Sequence, residues 1–308
     1  MPQATVIVTS RNRRETCAKT IESSLAQTGI DQEILVIDDC SDDDTAGFIR
    51  QRFPAVRVHR KEKRGGLIVA RNHATRLAAS PVVVSIDDDA VFISNDTLAA
   101  AVSMFDHPRV GAVAIPFVNH VNGADEKCIV PDAPSAQSVW LTNTFVGTAY
   151  AVRRDMFVAL GGFDERLVHW AEEQEYCQRL MGAGYVIRIG TSGLIRHFPA
   201  GVGKYNLQSI RRLTRNNIWS ASLNSPMPLT LPLVLGQAVR ATLGGFKKPK
   251  ELRATIEGVP WGIASVIRHW FSRRPMSREA FSLWMDIRRR KPVKLDDIET
   301  RLPPMLKV

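Results

Sequence analysis

Residues 82–92 read VVVSIDDDAVF, a run of apolar residues that leads straight into three adjacent carboxylates, Asp87, Asp88 and Asp89. A short apolar run ending in acidic residues suits a buried parallel strand, because open α/β sheets bind ligands beyond the carboxyl ends of their strands. If the strand continues through the acidic run, Asp87 and Asp89 share a face and Asp88 points away. Two converging carboxylates suit a hard divalent cation, Mg²⁺ or Mn²⁺, completed by phosphate oxygens of a ligand. The alternative is a solvated acidic loop, where Asp is also at home.

The segments before this stretch repeat its logic. TVIVT at 5–9 is a strand, followed by polar SRNRRE and an amphipathic helix through Cys17, Ile21 and Leu25. EILVIDD at 33–39 again ends in carboxylates, Asp38 and Asp39, and SDDDT then starts a helix with Ser41 as its expected cap. A calcium loop starting at Asp39 fails, since Asp44 stands where Gly is needed and Arg50 where Glu is needed. VRVHR at 56–60 is a third strand. Gly65 and Gly66 then open a helix bearing Arg71, a place where backbone can approach an anion. The glycine spacing matches neither the dinucleotide fingerprint nor a P-loop. This β-α alternation predicts an α/β fold with a mostly parallel, doubly wound sheet.

Downstream, a helix over 96–105 and the strand GAVAIPF at 111–117 extend the sheet. Residues 119–138 lack periodicity and read as a surface loop able to cover the crevice. After a strand at 146–152, Glu172, Glu173 and Glu175 fall in the first turn of a helix, where acidic residues also simply complement the helix dipole.

The net charge of +10 is unevenly spread: residues 1–200 carry −3 and residues 201–308 carry +13. A basic region suits nucleic acid, anionic lipid or a phosphorylated ligand. No nucleic-acid motif accompanies it, which points to lipid and away from nucleic acid. Cys17, Cys40, Cys128 and Cys177 match no zinc or redox spacing and are expected as reduced thiols. No leader-like segment precedes the first strand, which points to the cytoplasm.

Five pieces in order, VIVTSRNR, EILVIDDCSDDDT, GGLIVARNHA, SIDDD, and GGFDE with EEQEYCQRLMGAGY, resemble a family 2 inverting glycosyltransferase with the GT-A, nucleotide-diphospho-sugar transferase fold. The resemblance spans residues 5–197. It implies that Ser10, Arg11 and Arg13 line a nucleotide site, that Asp38 or Asp39 accepts a hydrogen bond from the base, and that Gly66 and Arg71 approach the diphosphate. It makes Asp87 and Asp89 the DxD motif, with Asp88 beside them, and places His197 near the metal and diphosphate. The family's acidic pair stands here as Glu172-Glu173, so Glu173 is the expected general base and Glu172 the second choice. Arg11 stands where an aromatic is common, so base stacking would use a guanidinium plane. Trp170 is open between stacking on an acceptor sugar and packing in the core. QSIRR at 208–212 echoes a polysaccharide-synthase motif but has Arg212 in place of its tryptophan; Arg211 and Arg215 are open between diphosphate contact and a helix face.

The resemblance predicts a catalytic domain over 1–205 and a helical, basic region over 206–308. Residues 216–239 carry no charge but hold Pro226, Pro228 and Pro232, which argues against a spanning helix. Trp261, Ile263, Ile267, Trp270 and Phe271, and then Phe281, Trp284 and Met285 beside Arg288 to Lys291, have the pattern of helices lying on an anionic membrane or packing on the catalytic domain. The expected activity is metal-dependent transfer from a nucleotide-diphospho-sugar to a lipid-linked or glycan acceptor, at the inner face of the cell membrane. Rival readings are a nucleotidyltransferase and an inactive sugar- or membrane-binding protein.

Overall fold

A computed structural model describes residues 1–126, 128–190, 191, 195–199, 206–290 and 292–307. The first half follows the expected alternation: β1 (Ala4–Ser10), α1 (Arg14–Leu25), β2 (Gln32–Asp38), α2 (Thr45–Arg52), β3 (Arg57–Arg60), α3 (Leu67–Leu77) and β4 (Val82–Asp87). Then come β5 (Ala90–Phe92), α4 (Thr97–Ser103), β6 (Val110–Ala114), β7 (Phe117–Val121), β8 (Ala124–Asp125), β9 (Trp140–Thr142), β10 (Ala149–Arg153) and α5 (Arg154–Ala159). The chain continues through α6 (Glu172–Gly182), β11 (Val186–Ile189), β12 (Ile195–His197), α7 (Leu207–Leu223), α8 (Thr230–Phe246), α9 (Pro249–Arg268), α10 (Arg278–Arg290) and β13 (Val293–Lys294).

Among the described residues, nine strands form one sheet in the order β13-β9-β11-β6-β10-β4-β1-β2-β3. Its β4-β1-β2-β3 half is parallel, with Val6, Ile7, Val8, Leu35, Val36, Val83 and Val84 buried on both faces between helices. The other half is mixed, because β10 runs antiparallel to both β4 and β6. The chain moves outward from β1 to β3 and then returns to the far side of β1 as β4, so the order of connection reverses between β1 and β4. Register places Ser10 beside Asp38 and Thr9 beside Asp87, so three strand ends open into one crevice at that reversal.

The central stretch is not one strand. β4 stops at Asp87, a turn holds Asp88 and Asp89, and β5 enters a second sheet, β5-β12-β7-β8. The face argument from strand alternation therefore does not apply to Asp88 and Asp89. GAVAIPF also divides between the two sheets, at Ile115 and Pro116. Part of the segment expected as a loop, 119–138, is a hairpin of β7 and β8. Asp44, whose carboxylate accepts from the Gly47 amide, caps α2 in place of Ser41. The four cysteines are free thiols.

The C-terminal helices return to the catalytic sheet. α10 buries Phe281, Leu283, Trp284 and Ile287, and the Trp284 indole donates to the Asn143 carbonyl at 3.0 Å. β13 then pairs with β9 at the sheet edge, and the Leu306 amide donates to Ala183. Of the two open readings for Phe281 and Trp284, packing on the catalytic domain is the one observed. The expected division at 205 and the cation Lys291 lie outside the described residues. Among the described residues no helix is long and apolar enough to cross a membrane.

Candidate active site

The crevice has three parts. The first is a cavity of about 310 Å³ lined by Ser10, Arg11, Arg13, Asp39, Gly66 and Asp88. The Ser10 hydroxyl donates to Asp88 at 2.6 Å, and the Arg13 guanidinium donates to Asp88 at 3.0 Å and Asp89 at 2.8 Å. Burial pushes Asp88 up to about 6 against the pull of Ser10 and Arg13. Of the two candidate base acceptors, only Asp39 lines the cavity; Asp38 is fully buried and accepts from the Ser41 amide. Asp39 accepts from the amides of Gly65 at 2.8 Å and Gly66 at 2.7 Å and from Lys61 at 2.9 Å. Burial works to raise its pKa, but these donors outweigh burial and hold it below the usual carboxylate range. Gly66 sits at φ 88°, a conformation that lets its amide turn onto Asp39.

The second part brings together Asp87, Asp89 and His197, with one ligand atom from each within 4.8 Å of the others. His197 Nε2 lies 3.2 Å from Asp89, and its Nδ1 lies 2.8 Å from the Asn119 side-chain oxygen. With Nδ1 donating to Asn119, Nε2 is the nitrogen that would present a lone pair to a cation held between it and the carboxylates. A lone pair opposed to two carboxylates fits a divalent cation, and the oxygen-plus-imidazole donor set suits Mn²⁺ or Mg²⁺. Asn119 escapes sequence reasoning because it meets His197 only through the parallel pairing of β7 with β12.

The third part lies at the start of α6. Arg71 is 2% exposed and donates to Asp87 at 2.6 Å and to the Gly147 carbonyl at 2.7 Å, with Glu172 3.9 Å away. It is thus a buried counter-ion among carboxylates and does not line the cavity of Ser10 and Asp39. The Gly147 amide donates to Glu173 at 3.0 Å. A Cβ on Gly147 would stand 2.5 Å from the Glu173 oxygen and 2.6 Å from the Arg71 guanidinium, so any side chain there would displace one or both of these groups. Glu172 is 1% exposed with one oxygen unpartnered among the described residues, whereas Glu173 keeps partial exposure. Burial, then the neighbouring Glu173 charge, pushes Glu172 up to about 8 despite Arg71; burial also raises Glu173.

The turn before this pair is strained. Val168, Trp170 and Ala171 all have φ between 67° and 72°, which is costly for residues other than glycine. The buried Asn216 of α7 holds it by donating to the carbonyls of Leu167, His169 and Trp170 at 2.7 to 3.0 Å. No local signal in the sequence marks Asn216 for this task. Trp170 stays partly exposed next to the His169 ring. Arg215 is buried in the helical layer, bonded to Ser265 and Asn216 and to the Arg166 carbonyl, and does not line the cavity of Ser10 and Asp39. Arg211 lies on the helix face, 3.4 Å from Glu257.

Residues 5–152 match the family model described as glycosyl transferase family 2. Relatives include an uncharacterized glycosyltransferase of Haemophilus influenzae, 26% identical over 167 residues, and the O-antigen chain rhamnosyltransferase WbaN of Salmonella anatum, 27% identical over 186 residues. These matches cover 53% and 56% of this chain and span 56% and 58% of the two relatives' own lengths. Among solved structures, the mannosyltransferase PcManGT of Pyrobaculum calidifontis, in complex with GDP-Man and Mn²⁺, superposes with a TM-score of 0.58 at 20% identity, covering 92% of this chain and 79% of that one. TarS 1-349 of S. aureus with UDP-GlcNAc superposes with a TM-score of 0.61 at 18% identity, covering 93% and 89%. The structural likenesses carry the fold and the family match carries residues 5–152: this stretch is a glycosyl transferase family 2 domain, and the chain has the GT-A fold.

Proposed function

We propose that the protein moves a sugar from a nucleotide-diphospho-sugar to a hydroxyl of a lipid-linked or glycan acceptor, with inversion, while bound peripherally to the inner face of the membrane. The observation that carries this reading is the placement of the Asp87, Asp89 and His197 cluster and the Glu172-Glu173 pair on either side of Arg71, which bonds Asp87 and lies beside Glu172. Displacement at an anomeric carbon has two demands: charge must be stabilised on the departing diphosphate, and a proton must be removed from the attacking hydroxyl on the opposite face. Asp87, Asp89 and His197 would hold Mg²⁺ or Mn²⁺, which when bound supplies Lewis-acid stabilisation of that leaving charge. Arg13 adds a cation on the nucleotide side. Glu173, partly exposed and held by the Gly147 amide, takes the hydroxyl proton as general base, and a single displacement of this kind inverts the centre. The rhamnosyltransferase relative and the succinoglycan biosynthesis proteins ExoO and ExoU of Rhizobium meliloti, 33% and 34% identical over 90 residues, support an envelope or extracellular glycan as acceptor.

A panel of UDP-, GDP- and dTDP-sugars with Mn²⁺, scored for slow hydrolysis without acceptor, tests the reading. One donor is expected to release its nucleoside diphosphate; release of pyrophosphate instead would make the protein a nucleotidyltransferase. With that donor, Asn216→Ala is expected to lower kcat for transfer about tenfold, as the strained turn relaxes and Glu173 drifts from the attacking hydroxyl. Binding of the nucleoside diphosphate, measured by calorimetry, should stay unchanged. A matching loss of nucleotide affinity would mean that Asn216 only supports the fold.

A further inference from the structure

α8 and α9 run side by side in opposite directions. Leu231 and Leu235 at the start of α8 share a groove with Ile263 and Ile267 at the end of α9, while Gly245 at the end of α8 meets Leu252 and Thr255 at the start of α9. α9 turns Gly258 and Gly262 toward α7, against Thr214 and Ile218. The outer side of the pair has no partner among the described residues. On α8, Leu231, Leu235, Val239, Leu243 and Phe246 are each 51 to 63% exposed and fall at successive turns, so they form one stripe. On α9, Ile256, Ile263 and Ile267 are exposed at matching spacing, and Phe271 just beyond is 99% exposed. The groove of about 530 Å³ between the two helices is lined by aliphatic and aromatic side chains alone. A contiguous apolar surface of this kind marks a contact site.

The charges around it select the partner. Residues 229–274 hold eight Lys and Arg against two Asp and Glu. Both carboxylates are already engaged, Glu251 with Lys248 and Glu257 with Arg211 and Arg253. Arg240, Lys247, Lys250 and Arg268 are exposed with no carboxylate partner among the described residues. An apolar stripe edged by free cations complements an anionic bilayer surface, into which such a face sinks to the boundary between headgroups and acyl chains. A second copy would bring the same cations against one another, so a symmetric pairing through this face is repelled.

We infer that the outer face of α8 and α9 is the surface by which the protein lies on an anionic membrane, with the apolar stripes among the lipids and Arg240, Lys247, Lys250 and Arg268 at the headgroups. This deepens the membrane contact proposed above and rests on it only where it concerns the acceptor. α7 packs on α9 and also holds the turn before Glu172 through Asn216, so one helix links the docking face to the turn before the acidic pair.

Flotation of the full chain with vesicles tests the assignment. The protein is expected to float with phosphatidylcholine vesicles containing phosphatidylglycerol, and at least about tenfold less with phosphatidylcholine alone or at high salt, since each cation that reaches an anionic surface strengthens binding about fivefold and two in contact already exceed that margin. The double variant Leu235→Glu/Ile267→Glu should lose at least about tenfold in partitioning, with Tm and donor hydrolysis unchanged because both side chains are exposed and neither lines the crevice. Absence of flotation by the wild type, or equal flotation by the variant, overturns the inference. So does a dimer in sedimentation velocity that the variant abolishes, since the face is then a seam between two copies. Flotation without turnover of any donor would support the membrane face and remove the transferase reading.

Discussion

Glu173→Gln is expected to lower sugar transfer by about 10² to 10⁴-fold, the usual contribution of a general base, without weakening Mn²⁺ or nucleotide binding. Gln keeps the shape of the side chain, and its oxygen can still accept from the Gly147 amide, so the geometry around Arg71 survives while the ability to take a proton is lost. The pair also dictates a pH signature. Both carboxyls are raised by burial, so the first ionisation, the one that arms Glu173, lies above the ordinary carboxylate range, and transfer falls as pH drops through it. Glu172→Gln should leave that acid limb in place, because Glu172 keeps its proton until about pH 8. It should also stabilise the protein. A carboxyl whose folded pKa is raised from 4.5 to about 8 keeps a proton that the unfolded chain releases, so the stability present below pH 4.5 is lost as pH rises toward 8. The Tm gain of Glu172→Gln is therefore expected to grow between pH 5 and 8. An acid limb that persists in the residual activity of Glu173→Gln would assign the base elsewhere.

The parts legible in the sequence share one physical reason. In a parallel sheet the carboxyl ends of the strands lie along one edge, so knowing that Ser10, Asp39 and Asp87 follow apolar runs is enough to bring them to one crevice. Register, which no local pattern encodes, decided the rest. Asn119 meets His197 only because β7 pairs with β12, and Asn216 reaches the 167–170 carbonyls only because α7 folds back on the turn before α6. Amphipathic spacing had the same limit: it marked a buried side for Trp261–Phe271 and for α10 alike, but not what would cover it. α10 covers its own against Asn143 and α6, and the uncharged run with its three prolines, unsuited to span a bilayer, presents the exposed stripe of α8. The break after Asp87 was hidden for a related reason, since an apolar run resuming at Ala90 looks like one strand until the second sheet claims it.

Asp89→Ala is expected to lower transfer about 10³-fold or more and to lower Mn²⁺ affinity alongside, because it removes one of three donors and the one closest to His197. The two readouts must move together. Asp89 also accepts from Arg13, so a loss of transfer could otherwise come from a displaced guanidinium; Arg13 keeps Asp88 as a second partner at 3.0 Å and is 42% exposed on its side chain, so the variant should fold and hold Arg13 in place. Asn119→Leu separates the contributions further. It leaves all three donors but frees the imidazole to turn or exchange its proton, and loss of such an orienting partner typically weakens a metal site 10- to 100-fold. Excess Mn²⁺ should therefore restore transfer in Asn119→Leu and fail to restore it in Asp89→Ala. Equal rescue of both variants would mean that Asp89 serves the fold of the turn after β4, and that the cation is held by the diphosphate and Asp87 without it.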